Sequence, residues 1–145
     1  MSGRKLETRD DKKEWLNRYY RAQIAIQEIK LEIETLTSQY IMPAKAMDGM
    51  PRGSGGGDLS TFAAAYEKLW KKLDGQLTDR MEIYHEIIDV IEAADLNEAE
   101  RSILRYRYIL CLKWDEIAEQ TTMDRSTVFR IRNSAVDKLA IECDY

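Results

Sequence analysis

Cysteine, proline and histidine are scarce in this chain of 145 residues, which carries two, two and one of them respectively. Cys111 and Cys143 stand apart, with neither a CxxC pair nor a Cys/His spacing suited to zinc. They are expected as reduced thiols, not as a disulfide framework. His85 shares a stretch with Glu82, Glu86 and Asp89, but no second His/Glu pair appears elsewhere to complete a dinuclear site, so these carboxylates read as a solvated acidic face. No nucleophile and base stand in an informative arrangement, and no cofactor loop or metal-ligand set is visible; enzymatic chemistry, cofactors and metals are therefore not expected. No run of about 18 apolar residues occurs, which excludes a helical membrane span. The opening MSGRKLETRDDKKEW has no apolar core, and a secretory signal is not expected. Glycine gathers in MPRGSGGGDLS, which lacks the Gly-Lys-Ser/Thr ending and preceding strand of a phosphate loop and reads as a linker.

Charge and apolar residues in helical order are what the chain has in quantity. Its 33% of charged residues, beside 44% hydrophobic ones, exceeds the share in an average globular domain and suits long exposed helices. The net charge of −4 is spread unevenly. Residues 1–57 hold 10 Lys/Arg against 8 Asp/Glu, residues 58–95 hold 4 against 9, and residues 96–145 hold 8 against 9. The middle segment would turn away from a polyanion, whereas Arg125, Arg130, Arg132 and Lys138 outnumber Asp124 and Asp137 over residues 124–138.

Trp15, Tyr19, Ala22, Ile26, Ile29, Ile33, Leu36 and Tyr40 recur at alternating intervals of four and three, a heptad-type seam on a helix expected over about 10–40. Such a helix is roughly 45 Å long and needs another to cover it. Phe62, Tyr66, Leu69, Leu73, Leu77, Met81, Tyr84, Ile88 and Ile91 form a comparable stripe on a second helix over about 58–94, with a stutter where Leu73, Leu77 and Met81 follow at fours. Pro43, Pro51 and the glycines make residues 41–57 a flexible, non-helical connector. Its length permits an antiparallel hairpin within one chain and equally an exchange between two chains. We favour an antiparallel coiled-coil hairpin that also self-associates through leftover apolar surface such as Trp70 and Ile87, giving a homodimer or higher oligomer.

Three shorter helices follow, over about 97–110, 113–120 and 124–141, as one small domain of residues 96–145. Asn97 with Glu100 makes a capping-box-like start, and Ile103, Leu104, Tyr108 and Leu110 are the expected buried side of the first. Trp114 to Gln120 is amphipathic, with Ile117 and Ala118 inward. Thr121-Thr122-Met123 is the turn, and Asp124 is the N-cap of the last helix. Stepping about 100° per residue puts Val128, Ile131, Ala135 and Leu139 on one face. Ser126, Arg130, Asn133 and Asp137 fall opposite, with Phe129 on the shoulder. This is the layout of a helix-turn-helix reader of duplex DNA, in which the N-terminal half of the second helix enters the major groove. Arg125, Ser126, Phe129, Arg130 and Asn133 fall there; Arg can fork onto guanine, Asn can pair with adenine and an aromatic ring can touch a thymine methyl. Thr127, Arg132 and Lys113 complete the candidate DNA contacts. Asp137 would repel phosphate and is expected outside the groove.

The run LNEAERSILRYRYILCLKWDEIAEQTTMDRSTVFRIRNSAVDKLA, about 45 of the 145 residues, resembles region 4 of bacterial sigma-70-type factors, which recognises promoter elements. The whole layout, a long helix, a glycine-rich connector, a second long helix and this run, resembles phage and prophage regulators of the ArpU and RinA type. The chain departs from the family pattern at three places. Cys111 and Thr122 stand where glycine is usual, and a left-handed backbone at Cys111 would be strained. Lys113 stands where Ser or Thr usually caps the helix, and an ammonium cannot accept from the amides.

The resemblance implies an all-α, sequence-specific transcriptional regulator in the cytoplasm of a bacterial host, associated with the nucleoid and acting with RNA polymerase on promoter DNA. The alternatives are a small terminase-like DNA-packaging protein, and an RNA polymerase-binding modulator that does not read sequence. The modest positive surplus of the last helix predicts weak binding by an isolated monomer, to be multiplied by a second copy or by polymerase. Deleting residues 1–57 is expected to leave a folded DNA-binding module of lower affinity.

Overall fold

The computed structural model describes residues 3–41 and 55–143. They are mostly helical, and among them no helix is long and apolar enough to cross a membrane. The chain divides into two compact units, one of residues 1–21 with 81–145 and one of residues 22–80. The division expected at residue 95 is therefore displaced. The start of the chain and the last part of the second long helix belong to the C-terminal unit, because their apolar side chains complete its core.

In the first unit β1 (Arg4–Lys5) pairs antiparallel with β2 (Glu142–Cys143), and the Leu6 amide donates to the Ile141 carbonyl at 2.9 Å. Thr8 then caps α1 (Arg9–Leu16) by accepting from the Asp11 amide at 3.1 Å. Asp10 and Asp11 complement the helix dipole in the first turn. A turn at Asn17 separates α1 from α2 (Arg18–Ile41), so the single helix expected over about 10–40 is two. Leu16, Ile87, Ile91, Leu104, Val136 and Ile141 are fully buried in one core, with Trp15 and Tyr19 packed against it. Burying each such aliphatic side chain stabilises by about 1.5–3 kcal/mol, which is why these distant segments fold together. Ile87, expected as leftover surface, is instead 0% exposed; the shift of the stripe after Leu73, Leu77 and Met81 turns it inward.

α4 (Glu98–Leu104) starts with a complete capping box, in which Asn97 Oδ1 accepts from the Glu100 amide at 2.8 Å and Glu100 Oε1 from the Asn97 amide at 2.9 Å. It continues as a π-helical turn, Arg105–Ile109. The wider i→i+5 turn, closed by the Leu110 amide on the Arg105 carbonyl at 2.9 Å, shifts the register so that Ile109 is buried and Leu110, expected inside, is 59% exposed. α5 (Trp114–Thr121) and α6 (Arg125–Asp137) follow, and Ile103, Ile117 and Val128 join the three helices in a second small core. α6 stops at Asp137, short of the expected 141, because leaving the helix lets Leu139 and Ile141 enter the main core and Glu142 reach the strand.

In the second unit, Ile26, Ile29 and Ile33 of α2 bury themselves against Leu73 of α3 (Gly55–Ala93), with Tyr66, Leu69 and Leu77 alongside. Tyr40 meets Phe62 at 4.6 Å between ring centroids, and Arg80 donates to Gln23 at 2.5 Å. These pairings make the two segments antiparallel. The connector expected to be non-helical over 41–57 is shorter at both ends. Ile41 closes α2 and Gly55, Gly56 and Gly57 open α3, since each residue added to an existing helix gains a hydrogen bond that offsets the glycine cost of about 1 kcal/mol. Residues 42–54 lie outside the described residues.

Candidate functional site

The exposed face of α6 depends on how α5 hands over to α6. Lys113 precedes α5 and its ammonium supplies nothing to the amides, but Glu116 Oε1 accepts from the Lys113 backbone N–H at 2.8 Å, so half of a capping box survives. At the other end Thr122 adopts a left-handed conformation, φ 53° and ψ 38°, and the Met123 amide closes onto the Ala118 carbonyl at 3.0 Å. Cys111 has φ 57°. Both places where glycine was missing are thus left-handed, at a cost of about 1–2 kcal/mol for each non-glycine residue. Asp124 then caps α6, its Oδ1 accepting from the Thr127 amide at 2.9 Å. The Thr127 side chain first and its amide second hold the Asp124 carboxyl below its ordinary value, with a lesser contribution from Ser126, against an opposing effect of burial.

Val128, Ala135 and Val136 of α6 are fully buried against the rest of the unit, and the opposite side carries the expected candidates. Val136 was not on the expected inner face; Ile131 was, and is half-buried. Arg125 and Ser126 are exposed, with Arg125 Nε 3.4 Å from Asp115 and its guanidinium 5.6 Å over the Phe129 ring. Phe129 is half-buried, edge-on to Trp114 at 4.9 Å. Arg130 is exposed and makes no ion pair with any described residue. Asn133 is half-buried, its Oδ1 accepting from Arg132 Nε at 2.9 Å.

Three candidates lie aside from this group. Arg132 is half-buried 4.7 Å over the Trp114 ring, which also takes Arg107 at 4.4 Å, and it approaches the Tyr108 hydroxyl at 3.4 Å. Its guanidinium is held against the protein by the stack on Trp114 and by its bond to Asn133. Thr127 is half-buried and its amide is spent on the cap. Lys113 is exposed at the start of α5, not on α6.

Sequence reasoning missed Arg9. Its Nε and Nη2 fork onto the two carboxylate oxygens of Asp137 at 2.9 and 2.6 Å. The two residues are 128 positions apart, and no local pattern pairs them. Lys12, buried, adds a bond from Nζ to the Asp137 carbonyl at 3.2 Å. Arg9 thereby joins Ser126, Phe129, Arg130, Asn133 and Asp137 around one shallow concavity of about 770 Å³. The fork from Arg9 holds the Asp137 carboxyl below its ordinary value against the opposing effect of burial, and Asp137 in turn raises Arg9.

Behind the face, Glu100 is buried and accepts from Asn97, from Ser134 Oγ at 2.9 Å and from Lys138 Nζ at 2.9 Å. Burial pushes its proton affinity up, but these donors together outweigh it and the carboxyl sits below its ordinary value. Both cysteines are free and half-buried; burial raises the Cys111 thiol, with Arg107 opposing, which keeps it protonated near neutrality. Among the described residues no group of three or more His, Cys, Asp or Glu is placed to hold a metal ion. No protein-family model, curated protein or solved structure matches the chain.

Proposed function

We propose that the chain is a sequence-specific binder of duplex DNA, with α5 and α6 as a helix-turn-helix of the sigma region 4 type and α6 as the recognition helix. The observation that carries this reading is a single face of α6. Exposed Ser126 and uncommitted Arg130, with Asn133 beside them, stand opposite a fully buried Val128 and Ala135. A buried inner side and a polar outer side of these residue types are what insertion into a major groove requires. The resemblance of residues 96–140 to region 4 adds the biological setting. In that reading the protein is a phage-type transcription regulator working in a bacterial cell with RNA polymerase at a promoter.

The unit of residues 22–80 is in this reading a coiled-coil hairpin that brings copies together. Ile24, Leu31, Tyr40 and Trp70 remain exposed on it, which suits self-association, and a second copy would multiply the weak attraction of one α6. Selecting bound fragments from random duplex DNA, with the mass of the protein in solution measured alongside, tests the proposal. A recurrent short motif, protected in footprinting, is the expected result, with a dimer in solution. A ring of eight or more subunits would favour DNA packaging. Polymerase binding without any sequence-selective footprint would favour a modulator and remove the reading.

A further inference from the structure

α6 has 13 residues and is about 20 Å long, whereas the major groove is about 12 Å wide. With its first turns among the bases, its last turn arrives at the sugar-phosphate wall. Asp137 stands there, on the side that carries Ser126 and Arg130, and a bare carboxylate in that place would repel phosphate. Arg9 cancels the charge of that corner. Its fork onto Asp137 makes the pair neutral, and only two of its five N–H donors are used. The remaining donors sit on a side chain that is 44% exposed. The guanidinium is also fixed in place, since α1 packs on α6 and Lys12 ties α1 to the end of α6 through the Asp137 carbonyl.

We propose that Arg9 is a DNA-contacting residue, a guanidinium held by Asp137 at the end of α6 that donates to phosphodiester oxygens of the duplex. This rests on the DNA-binding reading and extends its footprint to the N-terminal segment. Asp137 is then a positioning residue: it uses one edge of the guanidinium and leaves the others for phosphate, as planar forked donors allow. The contact adds affinity without sequence preference, because phosphates carry no base identity.

The test titrates the full chain with the duplex recovered by selection and with an unrelated duplex over a range of salt. It compares the natural protein with Arg9→Ala, Arg130→Ala, Asp137→Asn and the Arg9→Ala/Asp137→Asn pair. Arg9→Ala is expected to weaken binding to both duplexes by about tenfold and to reduce the salt slope by about one, with the loss persisting in the Asp137→Asn background. Circular dichroism checks folding. Should Arg9→Ala unfold, Arg9→Gln keeps a hydrogen bond to Asp137 and removes the charge, and the same loss is expected of it. Loss that vanishes once Asp137 is Asn would show Arg9 acting only to neutralise the carboxylate and would overturn the contact. Unchanged affinity and slope in Arg9→Ala, beside lost selectivity in Arg130→Ala, would overturn it and leave the DNA reading standing. No binding of either duplex by the natural protein would remove both.

Discussion

Arg125, Arg130 and Arg132 all lie on α6, yet their partners give them different tasks. Arg130 has none among the described residues, while Arg132 is stacked on Trp114 and bonded to Asn133. Arg130→Ala is therefore expected to cost about 1–3 kcal/mol on the preferred duplex and to relax choice at one base, with the unfolding midpoint unchanged. Arg132→Ala is expected to lower stability by about 1 kcal/mol through the lost cation–π packing; chemical denaturation of both variants separates the two roles. At Thr122 the left-handed backbone is the quantity that matters. Thr122→Gly relieves about 1–2 kcal/mol of strain and gives back about 0.5–1 in chain entropy. A raised urea midpoint with an unchanged denaturant slope is the expected outcome. Glu100, Asp124 and Asp137 all hold protons less tightly in the folded chain than ordinary carboxyls with values of 4.5, 3.8 and 3.8. The unfolded chain binds protons first, so their stabilisation is fully present above those values and is lost as pH falls through the folded-state values. Thermal midpoints should decline between about pH 5 and 2, and Glu100→Gln should flatten the decline; a midpoint that rises on acidification contradicts this account.

Among the elements, α1 departs furthest from its sequence reading. Its seam residue Trp15, with Tyr19 just beyond it at the start of α2, packs on the C-terminal core together with fully buried Leu16 and not along the long hairpin. Leu6 extends the same attachment through its bond to Ile141. The expectation that residues 1–57 can be removed while a folded module remains thus conflicts with the packing. Leu16→Ala is expected to cost about 2–5 kcal/mol, and a fragment of residues 81–145 is expected to lose cooperative unfolding; a sharp two-state transition in that fragment would show the segment dispensable. The capping box at Asn97 and Glu100 and the cap at Asp124 were legible because each is a contact over three residues. The π turn was not legible, since the choice between burying Ile109 and Leu110 depends on which one faces Leu139 and its neighbours in the shared core.

For the molecule as a whole, the first unit is made of two stretches far apart in sequence and the second of what lies between them. Tyr19 and Tyr84 of the first unit lie 6.0 Å apart between ring centroids, so the chain leaves and re-enters that unit at neighbouring points. Replacing residues 22–80 by a short Gly/Ser linker is therefore expected to keep the first unit folded. On the proposed pairing of copies through the long helices, its affinity for the selected duplex should fall by the avidity that a second copy would supply, which is about 10²–10⁴-fold in linked systems. The mass in solution should drop to that of one chain. Unchanged affinity in a monomeric variant would separate the long helices from DNA binding.

What the sequence determined by itself is what repeats or caps locally. Apolar residues at helical intervals set the helices, and short polar contacts such as Asp124 to Thr127 set where they start. Tertiary structure decided the partners over long separation: Arg9 with Asp137, Glu100 with Lys138, and Leu16 with the C-terminal core. The physical reason is range. Helical hydrogen bonds and caps act over three or four residues and leave a trace in spacing, whereas burial and ion pairing depend on distance in space, which a linear pattern does not carry.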